Sequence, residues 1–159
     1  MPQDKYRVLR RLDAGGMAEV YLGEAESIQG FKKKVAIKRV LPELAQNRQF
    51  IAMFLDEARL GLHLTHANVV QIFDIGVADD TYFIVMEYID GVNLKTILDD
   101  MRRRGTPIPV HVAVYLLIEV CKALSYAHEL TDENGHTRGI VHRDVSPPNV
   151  LLSKQGEVK

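Results

Sequence analysis

Over roughly the first ninety residues, hydrophobic and polar positions alternate with a period of two, punctuated by glycine. Residues 6–12, 19–25, 34–40, 70–75 and 82–87 each read as a strand. One segment, 47–64, interrupts them with helical spacing. After Gly91 the period lengthens. Residues 93–103 read as a helix with Asn93 as a possible cap, and 109–130 as a longer apolar helix opened by Pro109. A polar loop follows at 131–139, and short strands are expected on either side of 142–149. The pattern predicts an α+β chain: a strand-rich lobe with one helix (about 6–90), a linker near 88–91, and the start of a mainly helical lobe (91–159). A cleft between two such lobes is a natural ligand site.

Composition narrows the class. The 159 residues are 47% hydrophobic, and 20 Lys and Arg nearly cancel 21 Asp and Glu, for a net charge of −1. No basic excess points to nucleic acid. The first residues are too polar for a signal peptide. The longest apolar run, 112–118, is too short to span a bilayer. Cys121 is the single cysteine, so no intrachain disulfide can form. A cytoplasmic domain is expected, with any membrane anchor lying outside this sequence.

Three features carry candidate chemistry in the first half. Leu12-Asp13-Ala14-Gly15-Gly16-Met17-Ala18-Glu19-Val20 lies between two predicted strands, where small residues let a backbone approach phosphate closely. The same residues also suit a plain hairpin. In Val35-Ala36-Ile37-Lys38, the lysine shares a face with the small Ala36, so a cation can reach phosphates beside a flat ring. In the helix after Asn47, residues Phe50, Met53, Phe54, Glu57, Leu60, Gly61 and Leu64 share one face. Glu57 is therefore expected in the middle of an apolar stripe, where a carboxylate requires a cationic partner. Lys38 is the obvious candidate.

Further along, Ile84-Val85-Met86-Glu87-Tyr88-Ile89-Asp90-Gly91 starts as a buried strand and ends as a turn, presenting backbone groups suited to a base edge. His142-Arg143-Asp144-Val145-Ser146-Pro147-Pro148-Asn149 is the most specific string. Asp144 can accept or orient a hydroxyl proton, and the Asn149 oxygen can ligate magnesium.

The order of these pieces resembles that of protein kinases, and in particular the bacterial (Hanks-type) serine/threonine kinases similar to the eukaryotic ones, over residues 6–159. The resemblance implies a five-stranded antiparallel N-lobe with one helix and an incomplete C-lobe. It implies ATP and Mg2+ as cofactors and a protein substrate. Leu12, Val20, Ala36 and Leu151 would sandwich adenine, and Gly15 and Gly16 would cover the phosphates. Lys38 would contact the α- and β-phosphates, held by Glu57. Met86 would be the gatekeeper, and the backbones of Glu87 and Ile89 would bond the adenine edge. Asp144 would be the catalytic base and Asn149 the magnesium ligand.

Several positions depart from that pattern. Asp13 and Ala18 replace glycines of the loop, and Asp13 brings negative charge towards phosphates. Gly61 stands where a bulky apolar residue is usual, with an expected loss of packing. Ser146 replaces a lysine that neutralises the transferred phosphate, which implies slower transfer. The family's Asp-Phe-Gly segment falls beyond residue 159, so these residues alone are expected to be inactive, with the apolar face of 109–130 partly uncovered. The competing reading is a non-catalytic nucleotide-binding or scaffolding module of the same fold.

Overall fold

The computed structural model describes residues 5–26 and 30–159; the polar start at 1–4 lies outside these described residues. The chain forms two compact units. The first runs to Thr65 and resumes with Gln71–Tyr88; the second comprises His66–Val70 and Ile89–Lys159.

The first unit is a five-stranded antiparallel sheet in the order β1-β2-β3-β5-β4, built from β1 (Tyr6–Ala14), β2 (Ala18–Glu26), β3 (Lys32–Val40), β4 (Ile72–Ala78) and β5 (Thr81–Glu87). The period-two pattern sorts its side chains onto two faces. Val35, Ile37 and Val85 pack with Tyr6, Tyr21 and Phe83 on one face. Val40 and Ile84 pack on the other, against Ile51, Phe54 and Ala58 of helix α1 (Arg48–Leu62). Asn47 caps α1 by accepting from the amide of Phe50 at 3.0 Å, which satisfies one orphan donor of the first turn.

The face of α1 that packs on the sheet is rotated by roughly a quarter turn from the apolar stripe expected from sequence. Ile51, Phe54 and Ala58 are buried, whereas Met53 and Leu60 are exposed. Gly61 does not leave a hole. A Cβ there would collide with Cδ1 of Ile72, so the β4 side chain fills the space beside it. Glycine at this position permits close approach of helix and sheet.

In the second unit, Gly91 is part of a short strand, not a turn. The strand β6 (Gly91–Asn93) pairs antiparallel with β7 (Leu151–Ser153). A Cβ at Gly91 would strike the carbonyl oxygen of Leu152, so only glycine allows this pairing. No strand precedes His142; the strand expected there is absent, and residues 140–142 have no regular structure. Helix α2 (Leu94–Arg103) is capped by Asn93, which accepts from the Thr96 amide at 2.8 Å. Helix α3 (Val110–Glu129) packs Leu116, with Val112 and Val120, against Val150 and Val158. Taken whole, α3 is long and apolar enough to cross a membrane by length and composition, although the run 112–118 alone is not. Its buried Leu116 and its polar Glu119 and Lys122, which pair at 2.6 Å, fit a helix built into a folded unit. The expected uncovered face is present: Val114, Leu117, Ile118 and Cys121 are exposed together. The loop at 131–139 is a small hairpin with a Thr131–Thr137 bridge, organised by Asp132 Oδ1 accepting from the amides of Asn134 and His136 at 2.9 Å.

Candidate active site

The sheet brings the first group of candidates into two adjacent rows. Val20, Lys38 and Ile84 are register partners across β2, β3 and β5, and so are Leu22, Ala36 and Met86 one step along. All six point to the α1 face, because Ile84 belongs to the α1 cluster and alternate residues share a face. Leu12 sits in a register shift between Arg11 and Asp13, so its direction is set by the bulge and not by alternation.

Lys38 Nζ lies 2.9 Å from Glu57 Oε1 and 5.8 Å from the centre of the Phe54 ring. The pair forms as the spacing predicts, but its burial does not. The side chains are 29% and 64% exposed, because the rotation of α1 carries Glu57 from the middle of the packed face to its margin. Desolvation therefore does not force this pairing; the packing of α1 on the sheet that carries β3 places the two groups together.

The glycine turn does not need the conformational freedom of glycine. Gly15 donates to the carbonyl of Ala18 at 3.0 Å. Neither Gly15 nor Gly16 has a positive φ, and a Cβ would fit at both. The absence of side chains leaves the turn open to close approach from outside. Asp13 folds its carboxylate back onto the Ala14 amide at 2.8 Å, which draws it towards its own backbone. The amide of Glu87 donates to Gln71 at 2.8 Å. Ile89 follows at the start of the second unit.

In the second unit, His142–Asn149 forms a tight constellation. Arg143 adopts φ 66°, a left-handed conformation uncommon outside glycine, and this reverses the chain so that the Asp144 amide donates to His142 Nδ1 at 3.3 Å. Pro147–Asn149 is a single 3-10 turn, with proline supplying the required φ. Asn149 Nδ2 lies 2.8 Å from Asp144 Oδ2, 3.0 Å from its carbonyl oxygen and 3.3 Å from Ser146 Oγ. With its amide nitrogen committed there, Asn149 keeps its Oδ1 as an acceptor. That oxygen and the Asp144 carboxylate are hard oxygens of the kind magnesium accepts. Among the described residues no group of three or more His, Cys, Asp or Glu can hold a metal. Leu151 is tied on both sides, to Asn93 in β6 and by paired bonds of 2.8 and 2.9 Å to Lys159.

The motif reading missed an anchor in the second unit. Asn68 Nδ2 donates to Glu119 Oε2 and to the carbonyl of Val158, both at 2.8 Å. His66 stacks on Tyr126 at 5.0 Å. The Lys122 ammonium, and behind it Asn68, hold the Glu119 carboxyl below its ordinary range. The polar pair His66 and Asn68, set between two apolar stretches, was the available signal.

These features, a five-stranded antiparallel sheet bearing a lysine-glutamate pair and a separate loop with an aspartate-asparagine pair, define a kinase-like chain. Residues 6–159 match the family of protein tyrosine and serine/threonine kinases, and the chain belongs to that family. Among curated proteins it is 43% identical to the tyrosine-protein kinase MasK of Myxococcus xanthus, with 99% of this chain and 24% of that protein covered. It is 35% identical to the serine/threonine-protein kinase PrkC of Bacillus subtilis, over 98% of this chain and 22% of that protein. The crystal structure of the Mycobacterium tuberculosis PknI kinase domain superposes with a TM-score of 0.76 at 31% identity, covering 97% of this chain and 57% of that one. The chain thus spans about a quarter of the length of these curated relatives.

Proposed function

We propose that the protein carrying these residues transfers the γ-phosphate of ATP, with Mg2+, to a hydroxyl group of a protein substrate. The observation that carries the proposal is the Lys38–Glu57 contact of 2.9 Å on the Val-Ala-Ile-Lys strand. It fixes an otherwise mobile ammonium where it can meet a polyphosphate. Leu12, Val20, Ala36 and Leu151 flank the adenine, and Met86 is the gatekeeper. The backbones of Glu87 and Ile89 read the adenine edge. Gly15 and Gly16 allow the turn to close over the phosphates. Asp144 orients the acceptor hydroxyl and takes its proton. Asn149 holds the carboxylate of Asp144 through Nδ2 and offers Oδ1 to magnesium, which when bound neutralises phosphate charge. The ATP requirement places the reaction on the cytoplasmic side.

Serine and threonine are the proposed acceptors. Tyrosine is the second reading, favoured by the name of the MasK relative and by Ser146, which leaves residues 145–148 without a cation. The deciding experiment is radiolabel transfer from ATP by the longest natural chain that carries these residues, with phosphoamino-acid analysis of the product. Asp144→Asn is expected to abolish transfer while a magnesium-dependent thermal shift with ATP persists. Full transfer by that variant refutes the assignment of Asp144. Nucleotide binding without transfer by the unaltered protein establishes the non-catalytic module instead.

A further inference from the structure

Helix α2 ends in three consecutive arginines followed by glycine, threonine and proline. Gly105 takes φ 65°, its amide donates to Arg102 at 3.1 Å, and the Thr106 amide donates to Met101 at 3.0 Å. This left-handed helix stop fixes the backbone at Thr106 directly after the three arginines. Pro107 then holds Thr106 in extended backbone, exposed to solvent, and the Thr106 hydroxyl has no partner among the described residues. Charge on the helix and its cap is unbalanced. Lys95 and Arg102 share Asp99, while Arg103 and Arg104 share Asp100. Lys95 lies at the start of the helix, so at its end three arginines against two carboxylates leave an excess of one positive charge near Thr106.

From this juxtaposition we propose that Thr106 is a phosphorylation site whose phosphate is received by Arg102, Arg103 and Arg104. A phosphothreonine carries about −1.5 to −2 charges at neutral pH, enough to neutralise the local excess and to compete with Asp99 and Asp100 for the arginines. Arginine is the side chain best shaped for phosphate oxygens. The negative end of the helix dipole opposes an anion here, but direct contact with guanidinium groups outweighs that partial charge.

The donor and catalyst rest on the kinase function proposed above; the arginine cradle does not. In the transfer, Thr106 Oγ1 bonds to the γ-phosphorus, the bond from that phosphorus to the β,γ-bridging oxygen breaks, ADP leaves, and the hydroxyl proton passes to Asp144 of a second copy. Transfer runs between copies because of the length of α2. The helix begins beside its own catalytic loop, with the Leu94 amide donating to Val150 at 2.8 Å. Its ten residues place its far end about 15 Å from that point.

The test has two arms. In the first, the longest natural chain is incubated with Mg-ATP and phosphosites are mapped by mass spectrometry. Phosphate is expected on Thr106, absent from Asp144→Asn alone, and restored on that variant when active protein is added. Phosphate elsewhere with an unmodified Thr106 peptide overturns the site. No phosphate on any residue overturns transfer between copies while leaving the kinase reading to its own test, and the second arm then decides the cradle alone. There, phosphothreonine is installed genetically at 106. A rise in Tm of at least about 2 °C is expected at low ionic strength, lost at high salt and lost in Arg103→Gln with Arg104→Gln. No rise at low ionic strength overturns the cradle.

Discussion

Glu57→Gln separates what the Lys38–Glu57 pair does for stability from what it does for phosphate positioning. The substitution removes the charge and keeps the shape. Glu57 is 64% exposed and Lys38 is 29% exposed, so water screens the 2.9 Å contact and its contribution to folding is that of a surface pair, about 0.2–1 kcal/mol. For a chain of this size the expected drop in Tm is therefore no more than about 4 °C. A pair buried in the apolar core would behave differently, since breaking one costs about 3–5 kcal/mol, a drop of at least about 6 °C. Transfer is expected to suffer much more than stability. Without its carboxylate partner the lysine ammonium samples other rotamers, and displacement of about 1 Å at a reacting centre can cost about a hundredfold. The expected result is a fall of about tenfold to a hundredfold in kcat/KM for ATP, with Tm nearly unchanged. The assays are differential scanning fluorimetry and radiolabel transfer on the same preparations. Unchanged transfer refutes the positioning role of Glu57, and a Tm loss well beyond 6 °C refutes the exposed geometry.

Two further predictions probe the first unit. Gly61→Leu is expected to destabilise the protein by about 1–3 kcal/mol in denaturant unfolding, because Ile72 already fills the space beside Gly61; a gain in stability would restore the idea of lost packing there. The Tyr6 hydroxyl donates to Asp74 at 2.6 Å and, with the Lys5 ammonium behind it, holds the Asp74 carboxyl below its ordinary value against the opposing effect of burial. A depressed carboxyl pKa stabilises the fold above the unfolded value near 4, and that stability is lost as pH falls through the folded value. Tyr6→Phe should therefore flatten the loss of Tm below about pH 4, and an unaltered acid limb would show that Tyr6 does not set the Asp74 proton affinity.

The sequence alone determined the five strands of the sheet, the three helices and the cap at Asn93, because these follow from local periodicity and from a side chain bonding an amide three residues away. It also singled out Lys38, Glu57, Asp144 and Asn149 as candidates, since they stand in specific strings at defined spacings, and the fold joins Lys38 to Glu57 and Asp144 to Asn149. Tertiary structure decided how the elements turn and fit. The rotation of α1 that moved Glu57 to the margin depends on which helix face docks on Ile84 and Val40, and Phe50, Met53 and Leu60 offered an equally apolar face. The fit of Gly61 depends on Ile72, eleven positions on, and the pairing of Gly91 with β7 joins strands some sixty residues apart. Likewise His66–Val70, a short stretch between α1 and β4, belongs with α3 because Asn68 finds Glu119 and Val158. Contacts between residues far apart in the chain leave no local period, so only the folded chain specifies them.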